Sequence, residues 1–115
     1  MKNLSKLFLL TSLLLLSFTF ADEPKVSESK FSVSGNCGMC KTRIEEAVKL
    51  KEVKYASWNK NSKILKVMHE ETISVDSLKQ RLAEVGHDTD KYKSSEKVYK
   101  SLPKCCLYRD NPKTH

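Results

Sequence analysis

Lys30-Phe31-Ser32-Val33-Ser34-Gly35-Asn36-Cys37-Gly38-Met39-Cys40, continued by Lys41-Thr42-Arg43-Ile44-Glu45-Glu46-Ala47-Val48, is the stretch on which the fold turns. Residues 30–34 alternate polar and apolar side chains, the period of a half-buried strand. Gly35-Asn36 is turn chemistry. From Lys41 to Leu50 the pattern becomes helical: Cys40, Ile44, Ala47 and Val48 share one face, and charged residues surround it. Two thiols three positions apart therefore sit where a strand gives way to a helix. The free N–H groups and dipole of that helix start favour anionic sulfur. Such a pair can bind a soft metal, shuttle electrons as a dithiol, or form a plain disulfide.

Working outward, Val53 to Trp58 is β-branched and aromatic and predicts a second strand. Asn59-Lys60-Asn61-Ser62 is a hairpin turn of the longer kind, and Lys63 to His69 is the third strand, with Leu65 and Val67 inward. Ser74 is a helix N-cap. Val75, Leu78, Leu82 and Val85 mark the buried stripe of a second helix, which Gly86 stops. Thr89 to Lys93 predicts a short fourth strand. The order is βαββαβ, the ferredoxin-like α+β arrangement with both helices on one face of an antiparallel sheet. This order places Gly86-His87-Asp88 at the same end of the sheet as Cys37 and Cys40.

The ends of the chain read differently. Residues 1–21 have the form of a secretory signal peptide: Lys2 and Lys6, then an uncharged run from Leu7 to Phe20, then Ala21. That run is shorter than the roughly 20 apolar residues of a membrane span, so no stable membrane insertion is expected after cleavage. The expectation is an exported protein, periplasmic where the host has an outer membrane and otherwise secreted. Residues 22–29 read as a flexible leader, 30–93 as the domain, and 94–115 as a C-terminal extension carrying Cys105-Cys106. Within the extension, Glu96 to Leu102 predicts a short helix stopped by Pro103. The chain is basic, with a formal net charge of +7 over 115 residues. Its lysines are scattered among glutamates, which argues for a solvated surface and against a nucleic-acid reader. No Ser-His-Asp set, phosphate loop or paired-carboxylate cleft is present, so no enzyme is expected.

Four cysteines in an exported chain ordinarily suggest two disulfides. Here they form two tight pairs, Cys37/Cys40 and Cys105/Cys106, a spacing suited to metal or redox chemistry. Adjacent cysteines can form a strained vicinal disulfide, bind metal, or pair elsewhere. A tail folding back would bring them near the first pair. A thioredoxin-like dithiol would need a cis-Pro from downstream, and no Pro lies between Pro24 and Pro103. His69 reads as a strand-end residue, His115 as a disordered terminus, Met39 as a loop residue, and Trp58 and Tyr55 as sheet residues.

Val33-Ser34-Gly35-Asn36-Cys37-Gly38-Met39-Cys40, the following Arg43-Ile44-Glu45-Glu46-Ala47-Val48, and Leu82-Ala83-Glu84-Val85-Gly86-His87 together resemble the heavy-metal-associated domain family. The family includes small copper chaperones, the N-terminal modules of copper-transporting ATPases and the periplasmic mercury-binding protein. The resemblance covers about Phe31 to Lys93 and implies one soft ion held by Cys37 and Cys40 at an exposed helix start. The family's loop usually carries a Met ahead of the cysteines. This loop is one residue shorter and lacks it. His87 stands where bacterial members often carry Tyr, which implies a ligand or a group tuning the site. Cys105 and Cys106 are candidate additional ligands. The ion implied is Cu(I), with Zn(II), Cd(II) and Hg(II) as further thiolate-seeking ions, and the implied partner is a metal-transporting ATPase or another metal-accepting protein. The expected function is that of a copper(I) chaperone or scavenger. A secreted thiol–disulfide protein using Cys37/Cys40 and an adaptor with purely structural cysteines are the alternatives.

Overall fold

The computed structural model describes residues 22–115; the predicted signal peptide lies outside the described residues. Strand β1 (Val26–Ser32) leads through the Gly35-Asn36 turn into helix α1 (Gly38–Ala47). Strands β2 (Val53–Trp58) and β3 (Ile64–Glu70) form a hairpin. Helix α2 (Val75–Glu84), the short helix α3 (Glu96–Lys100) and a 3₁₀ turn (Lys104–Cys106) follow. The sheet has the order β1-β3-β2 and is antiparallel throughout. Among the described residues no helix is long and apolar enough to cross a membrane.

The core is the meeting of the helix stripes with one sheet face. Ile44 of α1, Val48 at its C-cap, and Leu78 and Leu82 of α2 are fully buried in one cluster with Phe31, Leu65 and Val67. Ser74 caps α2 by accepting the Ser77 N–H at 3.1 Å, as its sequence position predicts. Gly86 ends α2 with φ +111°, a left-handed conformation that glycine adopts without strain. Its bare Cα is also needed, because a Cβ there would lie 2.8 Å from Leu102.

Three sequence expectations are corrected. Residues 26–29 are not leader but the first part of β1, paired from Val26↔Glu70 to Ser29↔Val67. Polar residues on the Phe31 face hide the strand: half-buried Ser27 bonds Glu71, and half-buried Ser29 bonds His69 at 2.8 Å. The fourth strand is reduced to a single bridge, Val33↔Thr89, beside β1. Thr89 instead closes a turn, its N–H donating to the Tyr92 carbonyl at 2.8 Å and its hydroxyl accepting from Tyr92 N–H at 3.0 Å. Val85 is more than a third exposed and lies outside the α2 stripe.

The extension folds back onto the loop after α2. Tyr108 donates its hydroxyl to the Gly86 carbonyl at 2.6 Å and accepts from Asp88 N–H at 3.0 Å. Arg109 grips the Asp88 carboxylate with two N–H groups, at 3.0 and 2.8 Å, and donates to the Ser94 carbonyl at 2.9 Å. Its guanidinium also lies 4.3 Å over the Tyr99 ring. Leu102, Cys106 and Tyr108 are buried in consequence. The end of the chain is tied as well: Asn36 donates to the Asn111 carbonyl at 2.8 Å, and His115 N–H donates to the Asn36 carbonyl at 2.9 Å. His115 is thus held through its backbone, contrary to the expected disordered terminus.

Replacing Asp88 by Asn removes the ionic half of the Arg109 clamp while keeping its shape. We expect Asp88→Asn to lower stability by about 2 kcal/mol in urea unfolding. Amide exchange should accelerate over residues 102–109 before the core responds. Unchanged exchange in that segment would contradict this account of how the tail is held.

Candidate metal centre

Cys37 is the N-cap of α1, extended at φ −147° and ψ 175°, and it makes no side-chain cap bond. Its sulfur is therefore free to turn toward Cys40, one turn on, at 3.5 Å. The tail supplies a third sulfur: Cys106 lies 3.4 Å from Cys37. Cys105 follows at 3.9 Å from Cys106, and its sulfur is 3.3 Å from the Met39 thioether. The Cys37, Cys105 and Cys106 sulfurs all lie within 4.8 Å of one another. All four cysteines are free thiols.

The sequence leads one to expect an exposed pair, and the structure corrects this. Cys37 is 5% exposed, and Cys40 and Cys106 are fully buried. The cover is the tail itself. Gly35 allows the remaining close approach, since a Cβ there would meet the Trp58 ring at 2.9 Å and the Cys40 Cβ at 3.1 Å. Gly38 has open space around it and carries no such demand.

Burial pushes the Cys37 thiol up, but the backbone N–H of Cys40, the thiols of Cys106 and Cys40, and the Met39 N–H outweigh it and bring it to about 7. This is the helix-start effect anticipated above. Burial pushes Cys106 up to about 11, although Arg43 donates to its sulfur at 3.4 Å and opposes the rise. Burial also raises Cys40, whose thiol donates to Asn36 Oδ1 at 3.3 Å. One sulfur is thus primed as a thiolate, and the others surrender their protons only to something that replaces them.

His87 is fully buried and stacks on Tyr108 with ring centroids 5.6 Å apart. Its Nδ1 lies 2.8 Å from the Ser34 carbonyl. A carbonyl only accepts, so Nδ1 carries the proton and Nε2 holds a lone pair. Nε2 is buried with no hydrogen-bond partner. His87 is not in the three-sulfur group; it joins the two loops beneath it. His69 has both ring nitrogens occupied, by Ser29 and the Glu70 carbonyl, and belongs to the sheet. Asn36 and Arg43, which touch the sulfurs directly, have no sequence signal beyond turn chemistry and helix charge. Tyr108 and Arg109 carry no such signal, because their roles exist only once the tail docks; Asp88 is placed near the site by the element order, but its clamp on the tail is not.

No protein-family model matches the sequence, and no curated protein sequence matches it. Solved structures do. A CopZ metallochaperone superposes with a TM-score of 0.52 at 26% identity, over 55% of this chain and 98% of that one. The N-terminal domain of a potential copper-translocating P-type ATPase from Bacillus subtilis, in its Cu(I)-loaded state, gives 0.52 at 25% identity, over 56% and 85%. The water-soluble region of the P-type ATPase CopA from Bacillus subtilis gives 0.53 at 20% identity, over 59% and 47%. This chain has the heavy-metal-associated domain fold. In each of these matches more than a third of this chain lies outside the shared part.

An all-sulfur donor set fits a soft ion. With metal–sulfur bonds of ~2.3 Å, three sulfurs around one ion stand about 4 Å apart. The two Cys37 contacts, 3.5 Å to Cys40 and 3.4 Å to Cys106, need to open by only about half an ångström to reach that, whereas the three sulfurs that all lie within 4.8 Å of one another are those of Cys37, Cys105 and Cys106.

Burial holds the His87 imidazole at about 4 against its ordinary 6.5; the Ser34 bond opposes the drop and the Arg43 cation adds to it. Between those values the unfolded chain binds a proton that the folded chain refuses. Stability is therefore fully present above pH 6.5 and falls as pH drops toward 4, by about 3 kcal/mol in all. In urea unfolding of the metal-free protein, His87→Phe, which retains a ring against Tyr108, should show a much flatter profile over that window. An equally steep profile would place the titration elsewhere.

Proposed function

We propose that this protein is an exported Cu(I)-binding chaperone or scavenger whose cargo is held by Cys37, Cys40 and Cys106. The observation that carries the reading is the pair of contacts from Cys37, 3.5 Å to Cys40 and 3.4 Å to Cys106. The export part rests on the form of residues 1–21.

The chemistry follows from the three environments. Cys37, with its thiol near 7, meets the ion first as a thiolate. Bonding to the metal then displaces the protons of Cys40 and Cys106, so loading releases protons. Three thiolates around a monovalent ion leave two negative charges in a buried place. The Arg43 guanidinium against Cys106 offsets part of that charge. Zn(II) would leave less charge, but it prefers a fourth ligand. Support for copper comes also from the CopZ metallochaperone and from the Cu(I)-loaded ATPase domain, which share the fold at 25–26% identity. An ATPase of that kind, or another thiol-bearing acceptor, is the partner this reading suggests. Delivery proceeds by thiolate exchange once the tail loosens.

The test is an oxygen-free titration of the reduced protein with Cu(I) against a competing chelator. Cys37→Ser and Cys40→Ser should each weaken the first ion at least a hundredfold, and Cys106→Ser about tenfold. Weak binding by the parent protein, or unchanged binding in Cys37→Ser and Cys40→Ser alike, would sink the proposal. Should the reduced protein instead exchange rapidly with a glutathione buffer, forming a Cys37–Cys106 or Cys37–Cys40 bond, the thiol–disulfide reading would replace it.

A further inference from the structure

The three buried sulfurs leave two others unused. Cys105 is only partly buried, and Met39, on the first turn of α1, is 52% exposed. Their sulfurs are nevertheless 3.3 Å apart. Met39 is not part of the hydrophobic core, and it lines an open surface groove with Thr42, Arg43 and Glu46. An apolar side chain standing in solvent against a thiol, with no packing role, is a pair of soft donors facing outward. Cys105 also lies 3.9 Å from Cys106 and within 4.8 Å of Cys37, so the outer pair adjoins the buried trio, with Cys106 as the nearest shared sulfur.

We propose that Met39 and Cys105, with Cys106 as a shared thiolate, form a second, outer Cu(I) station at the mouth of the buried site. One chain then holds two ions. The inference rests on the inner-site reading above. Three arguments carry it. First, Cu(I) is satisfied by two or three sulfurs, so on the inner-site reading, with Cys37, Cys40 and Cys106 around the first ion, Cys105 and Met39 are left for another. Second, a thiolate has lone pairs for two metals, and Cys106 is the sulfur in contact with both groups. Third, the charge balances. The second ion brings one positive charge, and Cys105 gives up one proton to solvent as its S–Cu bond forms, so the net charge of the cluster is unchanged. The neutral Met39 thioether adds a donor without adding charge, which suits a soft monovalent ion better than a divalent one. Being the exposed member, the outer station is also where an ion would pause on its way in or out.

The experiment is anaerobic Cu(I) titration of the reduced protein, read by native mass spectrometry for stoichiometry and by chelator competition for affinity. The parent protein should bind two ions in two steps. Met39→Leu keeps the shape of an exposed side chain, and circular dichroism verifies its fold; it should retain the first ion with unchanged affinity and bind the second at least tenfold more weakly. Cys105→Ser should weaken the second step at least as much. Saturation of the parent protein at one ion, or a second ion whose affinity is unmoved in Met39→Leu, would overturn the proposal while leaving the inner site intact. Binding of no ion at all would overturn both. With Zn(II) in place of Cu(I), a Met39-dependent second step would contradict the preference for a soft monovalent ion.

Discussion

Asp88 is the residue through which three separate parts of the chain are held in register. Its carbonyl accepts the Ser34 N–H at 2.8 Å, tying the loop after α2 to the loop before α1. Its own N–H donates to Tyr108, and its carboxylate takes both Arg109 contacts and the Ser94 N–H. The bond to Ser34 sets the backbone that leads into Cys37. The bonds to Tyr108 and Arg109 set the tail that carries Cys106. The 3.4 Å contact between those two sulfurs is therefore a consequence of one loop residue satisfied on every side. The paired Arg109 holds the Asp88 carboxyl below its usual range against the opposing effect of burial, so the clamp stays charged at neutral and mildly acid pH.

Docking the tail changes what a two-cysteine helix start can do. Open to solvent, such a pair offers its ion to any passing thiol. With Cys106 docked against it the pair is buried, gains a third sulfur, and keeps a guanidinium close by to temper its charge. Shielding favours retention and selectivity; it also means that release must work against the Asp88 clamp or pass by the part-buried Cys105 and the exposed Met39. A neutral, buried His87 completes the arrangement, linking the Ser34 backbone to the Tyr108 ring without adding charge beneath the sulfurs.

Much of this was legible before the structure. The helix stripes of Ile44, Val48, Leu78 and Leu82, the Ser74 cap and the Gly86 stop all act through local periodicity, which a sequence displays directly. Cys37 and Cys40 were legible for the same reason, since their spacing and their place at a helix start are local facts. The first half of β1 was hidden because, after Val26, its side chains are polar and pairing with β3 is what makes it a strand. The fourth strand failed because Thr89 and Tyr92 satisfy each other in a turn. The tail was hardest. Cys105 and Cys106 stood out as chemistry, but their placement depends on contacts spanning some twenty residues and more, from Tyr108 to Gly86, Arg109 to Asp88 and Asn111 to Asn36. No periodic pattern announces those contacts. Met39, read as a loop residue, gains its meaning only from the cysteine that the tail sets beside it.

The central claim is that the tail completes the metal site with a third sulfur. X-ray absorption at the copper edge, on the protein loaded with one equivalent of Cu(I), counts that sulfur directly. Three sulfur neighbours in the parent protein, falling to two in Cys106→Ser, is the predicted result. Two sulfurs in both proteins would contradict it, and would mean that the tail covers the ion without binding it.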